Sequence, residues 1–108
     1  LVDKIQLPIS NTSYASNYYW VYALVLKDNL PFDAQEIIKK LGQVGVGCRP
    51  FFWPMHEQPV FKNMGWFMSE FYPISENIAR RGFYVPSGLA LTVEQMDYVI
   101  DSLTKVLG

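Results

Sequence analysis

Between residues 17 and 41 the hydrophobic period of this chain changes, and that change restricts its fold more than any other feature. Residues 17–27, NYYWVYALVLK, are rich in aromatic and β-branched side chains and apolar on both faces of a period-two ribbon. That pattern predicts a central strand covered on both sides. The next segment, NLPFDAQEIIKKLG, repeats its apolar positions at helical spacing instead. Asp33 and Glu36 stand three apart as a capping box, with Phe32 ahead of the cap and Ile37 behind it as a hydrophobic staple. Ile37, Ile38 and Leu41 form a narrow apolar stripe, and Gly42 is the expected stop, so a helix is predicted over residues 34–41.

The same device recurs near the end. Thr92 caps, Gln95 closes the box and Leu91 staples to Met96. Met96, Val99, Ile100, Leu103, Val106 and Leu107 then make a strong apolar face for a second long helix. Between the two lie weaker signals. VGVGCRPFF predicts a short strand entered through Gly45 and Gly47, which either ends at Pro50 or sits at a sheet edge, because proline brings no amide donor. Residues 53–73 hold Pro54, Pro59, Gly65 and Pro73 and predict a long ordered loop, with a helical turn near residues 60–64. ISENIARRG predicts a short helix with Ile74 and Ile78 on one face and Gly82 at its end, FYVP a short strand, and SGLAL a turn. The order strand, helix, strand, loop, helix, strand, helix predicts an α/β domain of two layers, in the α+β sense, with helices packed on a small mixed or antiparallel sheet.

One domain is what 108 residues suit, and 50% hydrophobic content supplies a core. A formal net charge of −1 gives no single-sign field to draw nucleic acid or an anionic membrane. The longest apolar run, YYWVYALVL, falls far short of the ~20 residues that span a bilayer. Most of the scattered lysines and arginines read as solvated surface. Cys48 is the only cysteine and His56 the only histidine. Neither an internal disulfide nor a Cys/His zinc site can be assembled from them, and a reduced, cytoplasmic setting is expected. The start at Leu1 and the irregular, polar LVDKIQLPISNTSYASN read as though cut from something longer.

The chemically richest stretch is RPFFWPMHEQP, residues 49–59. Prolines frame His56 there, amid three aromatics. As a general base His56 needs a partner, and its sequence neighbour Glu57 usually points elsewhere. A hydrogen-bonded structural histidine is the commoner arrangement. Arg49 can clamp a carboxylate or phosphate, or equally stack on Phe51, Phe52 or Trp53. Ser87 lacks a G-x-S-x-G frame. GQVGVG follows a helix rather than a strand, so it is no phosphate loop. The carboxylates are dispersed over caps and exposed faces, without paired-acid or metal-ligand spacing. These residues contain no complete catalytic constellation.

Three segments, NYYWVYALVL, GVGCRPFFWPMHEQPVF and YPISENIARRGFYVPSGLALTVEQMDYVIDSLTKVL, together resemble the C-terminus of the DegT/DnrJ/EryC1/StrS family. Its members are pyridoxal-phosphate-dependent sugar aminotransferases of the aspartate aminotransferase fold. The P-x-H-x-Q-P element, Pro54, His56, Gln58 and Pro59, is the most specific part, and RPFFWPMH is similar to the perosamine-synthase branch. The closing helix, strand end and L-T-x-E-Q-capped helix also match, with Val85 where the family usually has Leu. The resemblance spans nearly all 108 residues but only about the last third of such an enzyme. It implies a single small C-terminal domain, lacking the large domain that binds cofactor and supplies the aldimine lysine. None of Lys4, Lys27, Lys39, Lys40, Lys62 or Lys105 lies in an S-F-H-x-x-K-type context. The cofactor is therefore expected to be held outside this chain, which alone is expected to be inactive. The resemblance further implies transfer from glutamate to a nucleotide-linked keto-deoxysugar, in a homodimer. It implies substrate contacts from His56 first, Arg49 second, with Trp53 and Phe52 shaping the pocket. The alternative is a stand-alone, non-catalytic binding module descended from that domain.

Overall fold

A computed structural model describes all 108 residues. Four strands, β1 (Ile5–Gln6), β2 (Tyr22–Leu26), β3 (Arg49–Pro50) and β4 (Gly82–Val85), form one sheet in the order β1-β2-β4-β3. Every pairing is antiparallel, which decides between the two sheet types that the pattern left open. The helices are α1 (Ala34–Gln43), α2 (Pro59–Asn63), α3 (Pro73–Arg81) and α4 (Val93–Leu107).

The register sorts side chains to two faces. Tyr22 pairs with Val85, Leu24 with Phe83 and Leu26 with Ile5, so these residues share one face. Leu24, Leu26, Ile5, Phe83 and Val85 are buried there against Ile37 and Leu41 of α1 and Leu103 and Leu107 of α4. The opposite face carries Val25, Gly82, Ala23, Tyr84 and Arg49. It is covered only in part, by α3 and by residues 51–58. The central strand is thus shorter than residues 17–27 and fully covered on one side alone. Asn17 explains the shortening. Its Oδ1 accepts from Tyr19 N–H at 2.7 Å and its Nδ2 donates to Ile9 O at 3.0 Å, which holds the chain in a turn with Tyr19 at φ 51°. Tyr18 and Trp20 stay in solvent.

Both capping boxes form as the spacing predicts. Asp33 accepts from Glu36 N–H at 3.0 Å, and Thr92 from Gln95 N–H at 3.3 Å. Helix α1 nevertheless runs two residues past Leu41, through Gly42 to Gln43. Gly45, at φ +79°, supplies the left-handed residue. Val46 N–H donates to Leu41 O and Gly45 N–H to Gly42 O, a Schellman closure. Burial of Val46 beside Leu41 provides its apolar contact. Strand β1 was not anticipated. It is only two residues long, and it forms because β2 offers Ile5 a buried place opposite Leu26. Lys4 beside it donates to the last carbonyls of α4, Leu107 O at 2.6 Å and Gly108 O. Pro50 sits on an edge strand, as its missing N–H requires.

Arg81 departs from the solvated-surface expectation. Its guanidinium donates to Leu26 O, Phe32 O, Lys27 O and Leu30 O, and so ties the whole β2–α1 connection to the end of α3.

Candidate functional site

Strand β3 delivers the chain into RPFFWPMHEQP along the less covered face of the sheet. Phe51 N–H donates to Gly82 O at 3.0 Å and continues the β3–β4 contact by one residue. Gly82 is required by this approach. A Cβ there would lie 2.4 Å from Ile78 O and 2.9 Å from Phe51 Cβ. Phe52 then projects over the sheet, its ring 6.3 Å from Tyr84 and 6.4 Å from a nearly parallel Trp20. Arg49 is the register partner of Tyr84 on the same face. It is exposed and makes no side-chain hydrogen bond or ion pair. An unpaired guanidinium on the sheet face that also carries Tyr84 and Phe52 can receive an anionic group, with aromatic surface available on the same face.

The next residues form a 3₁₀ turn, Met55–Glu57, introduced by the extended Pro54. His56 is only 7% exposed. Its Nε2 lies 2.8 Å from Glu76 Oε1 on α3, the spacing at which Nε2–H donates to a carboxylate. The same Oε1 accepts from Tyr72 N–H at 3.0 Å, and the Tyr72 ring meets the imidazole edge-on at 4.9 Å. The Tyr72 amide first, and His56 second, hold the Glu76 carboxyl below the usual carboxylate range. The one side-chain hydrogen bond of His56 is the one at Nε2.

Glu57 does not join His56. It turns to Arg80, one helical turn beyond Glu76, and accepts from Arg80 Nη2 at 2.8 and 3.1 Å with its two oxygens. This pairing raises the Arg80 pKa further. The Arg80 guanidinium stacks 5.0 Å from the Trp53 ring, one of the places that the sequence left open for Arg49. Gln58 Nε2 donates to Trp53 O at 3.1 Å. His56, Glu57 and Glu76 bring one ligand atom each within 4.8 Å, a proximity that their sequence spacing hides, but all three are engaged by protein partners.

The four residues singled out from the sequence therefore divide. Arg49, Phe52 and Trp53 are accessible, at the sheet edge and on the strap that follows it, whereas His56 lies beneath, fastened to α3. Glu76, Arg80, Tyr72, Trp20 and Tyr84 were missed. The i, i+4 spacing of Glu76 and Arg80 is a visible signal, but it suggests an intrahelical pair rather than two hands on one distant turn. The lysines stand apart from this arrangement: Lys4 and Lys27 donate to main-chain carbonyls elsewhere, Lys40 lies over Phe32, and Lys39, Lys62 and Lys105 are exposed without partners. The residues present do not make a pyridoxal-phosphate site. Cys48 is half-buried, and burial pushes its thiol up to about 11.

Comparison with known proteins matches residues 2–104 to the DegT/DnrJ/EryC1/StrS aminotransferase family. GDP-perosamine synthase of Caulobacter vibrioides is 30% identical over 89 residues, covering 82% of this chain and 23% of that protein. GDP-perosamine synthase of Escherichia coli O157:H7 is 25% identical over 87 residues, 81% of this chain and 22% of that one. Among solved structures, a candidate sugar aminotransferase of Streptococcus pneumoniae superposes with a TM-score of 0.82 at 20% identity, over 96% of this chain and 26% of that one. The aminotransferase TlmJ of Streptoalloteichus hindustanus gives 0.78 at 18%, over 97% and 26%. At these identities the superpositions carry the fold. The chain spans about a quarter of the length of the proteins it matches.

Proposed function

The chain belongs to the DegT/DnrJ/EryC1/StrS aminotransferase family, and from that premise we propose that it is the small C-terminal domain of a sugar aminotransferase. The enzyme moves an amino group from glutamate to a nucleotide-linked keto-deoxysugar of the perosamine-forming kind. The observation that carries this reading is the match over residues 2–104, with GDP-perosamine synthases among the relatives and a chain about a quarter of their length. Pyridoxal phosphate supplies the electron sink for such a transfer and is held by residues outside this chain. The enzyme works in the cytoplasm as a homodimer, and the 108 residues alone are inactive. No helix is long and apolar enough to cross a membrane.

Within that enzyme, Arg49 meets an anionic group of the nucleotide sugar, and Phe52 and Trp53 form an aromatic wall beside it. His56 offers Nδ1 for a polar contact while Nε2 stays on Glu76. An open apolar groove of about 660 Å³ on the other side of the molecule, lined by Leu7, Tyr22, Met96 and Ile100 among others, favours a domain of a larger enzyme over a self-sufficient binding module.

The test expresses the whole reading frame that contains this chain and incubates it with pyridoxal phosphate, glutamate and GDP-4-keto-6-deoxymannose. A glutamate-dependent amino sugar is the expected product. The 108-residue chain, given the cofactor alone, should develop no aldimine absorbance. A lysine-dependent band in the chain, or a whole protein inert toward every nucleotide keto-sugar, overturns the reading.

A further inference from the structure

Residues 53–72 contribute nothing to the hydrophobic core: no member of the buried cluster, and no apolar residue packed against it, comes from this segment. Only Pro54 and His56 are buried within it. Its own aromatics, Phe61, Trp66 and Phe67, pack on one another, with ring centres 5.6 to 6.3 Å apart. The strap is therefore fastened by polar contacts, and these converge on two residues of α3. Glu76 takes His56 Nε2 and the Tyr72 amide on a single oxygen, at 2.8 and 3.0 Å. Arg80 takes both oxygens of Glu57, stacks on Trp53, and donates to Glu76 O at 3.2 Å. The consecutive pair His56–Glu57 is thus gripped by two helix residues of opposite charge, each matched to its complement. Exchanging the two would set the Glu57 carboxylate against that of Glu76 and take from Arg80 its carboxylate partner, so the clamp disfavours that seating of the turn.

We propose that Glu76 and Arg80 are positioning residues, which act through His56, Glu57 and Trp53 to fix the aromatic wall of Phe52 and Trp53 against Arg49. The role rests on reading that wall as the nucleotide-sugar contact. Neither residue touches the ligand. Glu76 sets the seating through one geometry, and Arg80 at once places Nη2 on Glu57, Nη1 on Glu76 O and its guanidinium over Trp53, a combination that a lysine cannot reproduce.

The experiment pairs Glu76→Gln and Arg80→Lys with two readouts. The first is amide exchange in the 108-residue chain. Exchange at the Glu57 and Gln58 amides should rise about tenfold or more in each variant, while that at Leu24 and Phe83 holds. The second is steady-state kinetics in the whole aminotransferase. KM for the nucleotide sugar should rise about tenfold with kcat nearly unchanged, because geometry at a binding wall is lost rather than a reacting group. Arg80→Lys, which keeps the charge, should fall between wild type and Arg80→Ala. Unchanged exchange in the strap, or exchange raised equally in the core, overturns the clamp while leaving the substrate reading intact. A loosened strap with an unchanged KM overturns both the substrate reading of the wall and the positioning role built on it.

Discussion

His56 is a lone imidazole among aromatics, and its environment shows what a residue type can and cannot announce. With only 7% of its surface exposed it must find a partner, and the carboxylate that answers comes from twenty residues downstream. Sequence spacing could not name Glu76, because the contact depends on how α3 lies across the strap. Charge could be placed, but not its pairing: most of the basic residues read as solvated surface, whereas Arg81 binds four carbonyls of the β2–α1 connection. Glu76 also makes the strap acid-sensitive. The Tyr72 amide and His56 hold its carboxyl below the ordinary value of 4.5. A depressed carboxylate contributes stabilisation fully above its unfolded value and loses it as pH falls through the folded one. His56, Glu57, Arg80 and the Tyr72 amide are the polar groups that face or flank it. On the carboxylate limb of an acid titration, below pH 4.5, the NMR signals of residues 53–58 report the loss of the Glu76 contacts. They should shift together, ahead of those of Leu24 and Phe83. Simultaneous movement of core and strap would show that Glu76 has no separate role.

At the scale of elements, local chemistry was a good guide wherever a residue talks to its near neighbours. Both capping boxes are a three-residue matter, and both form. The edge position of β3 follows from Pro50 alone. Elements failed to declare themselves where their reason was distant. Strand β1 exists because Leu26 needs cover, and α1 ends at Gln43, closed by Gly45, because Val46 is drawn into the core beside Leu41. Gly82 combines both cases. A glycine after α3 reads as a stop, but its backbone, φ −92° and ψ 139°, is open to any residue. Its necessity lies in the missing Cβ, whose place Ile78 O and Phe51 already occupy. Gly82→Ala is therefore expected to destabilise the chain by about 2 kcal/mol or more, measured by urea denaturation. A near-neutral result would mean that the end of α3 and Phe51 both give way freely.

For the whole molecule, the two faces of the sheet have different characters. One buries the core against α1 and α4, and the other carries the strap and the accessible aromatics. Even the core side is not closed. Along α4, Leu103 and Leu107 are buried while Met96 and Ile100 remain about half exposed in the apolar groove. Within this chain, Leu103→Ala should cost about 2–5 kcal/mol and Ile100→Ala less than about 1 kcal/mol, by the same denaturation measurement. In the whole enzyme the Ile100 value should rise toward the Leu103 value if another part of the protein covers the groove. Equal costs in the isolated chain would mean that the groove closes on itself. The sequence by itself determined the helices, their caps, the edge strand and the family, because these rest on periodicity, on contacts within a few residues, and on a motif read in order. Only the tertiary structure decided the antiparallel order, the second face, and the clamp of Glu76 and Arg80 on His56 and Glu57. Those depend on register and on side chains twenty or more residues apart, and a one-dimensional pattern carries no distance between them. The stretch RPFFWPMHEQP was legible as stiff and unusual. That its arginine and aromatics face outward while its histidine faces in was settled by α3 packing across it.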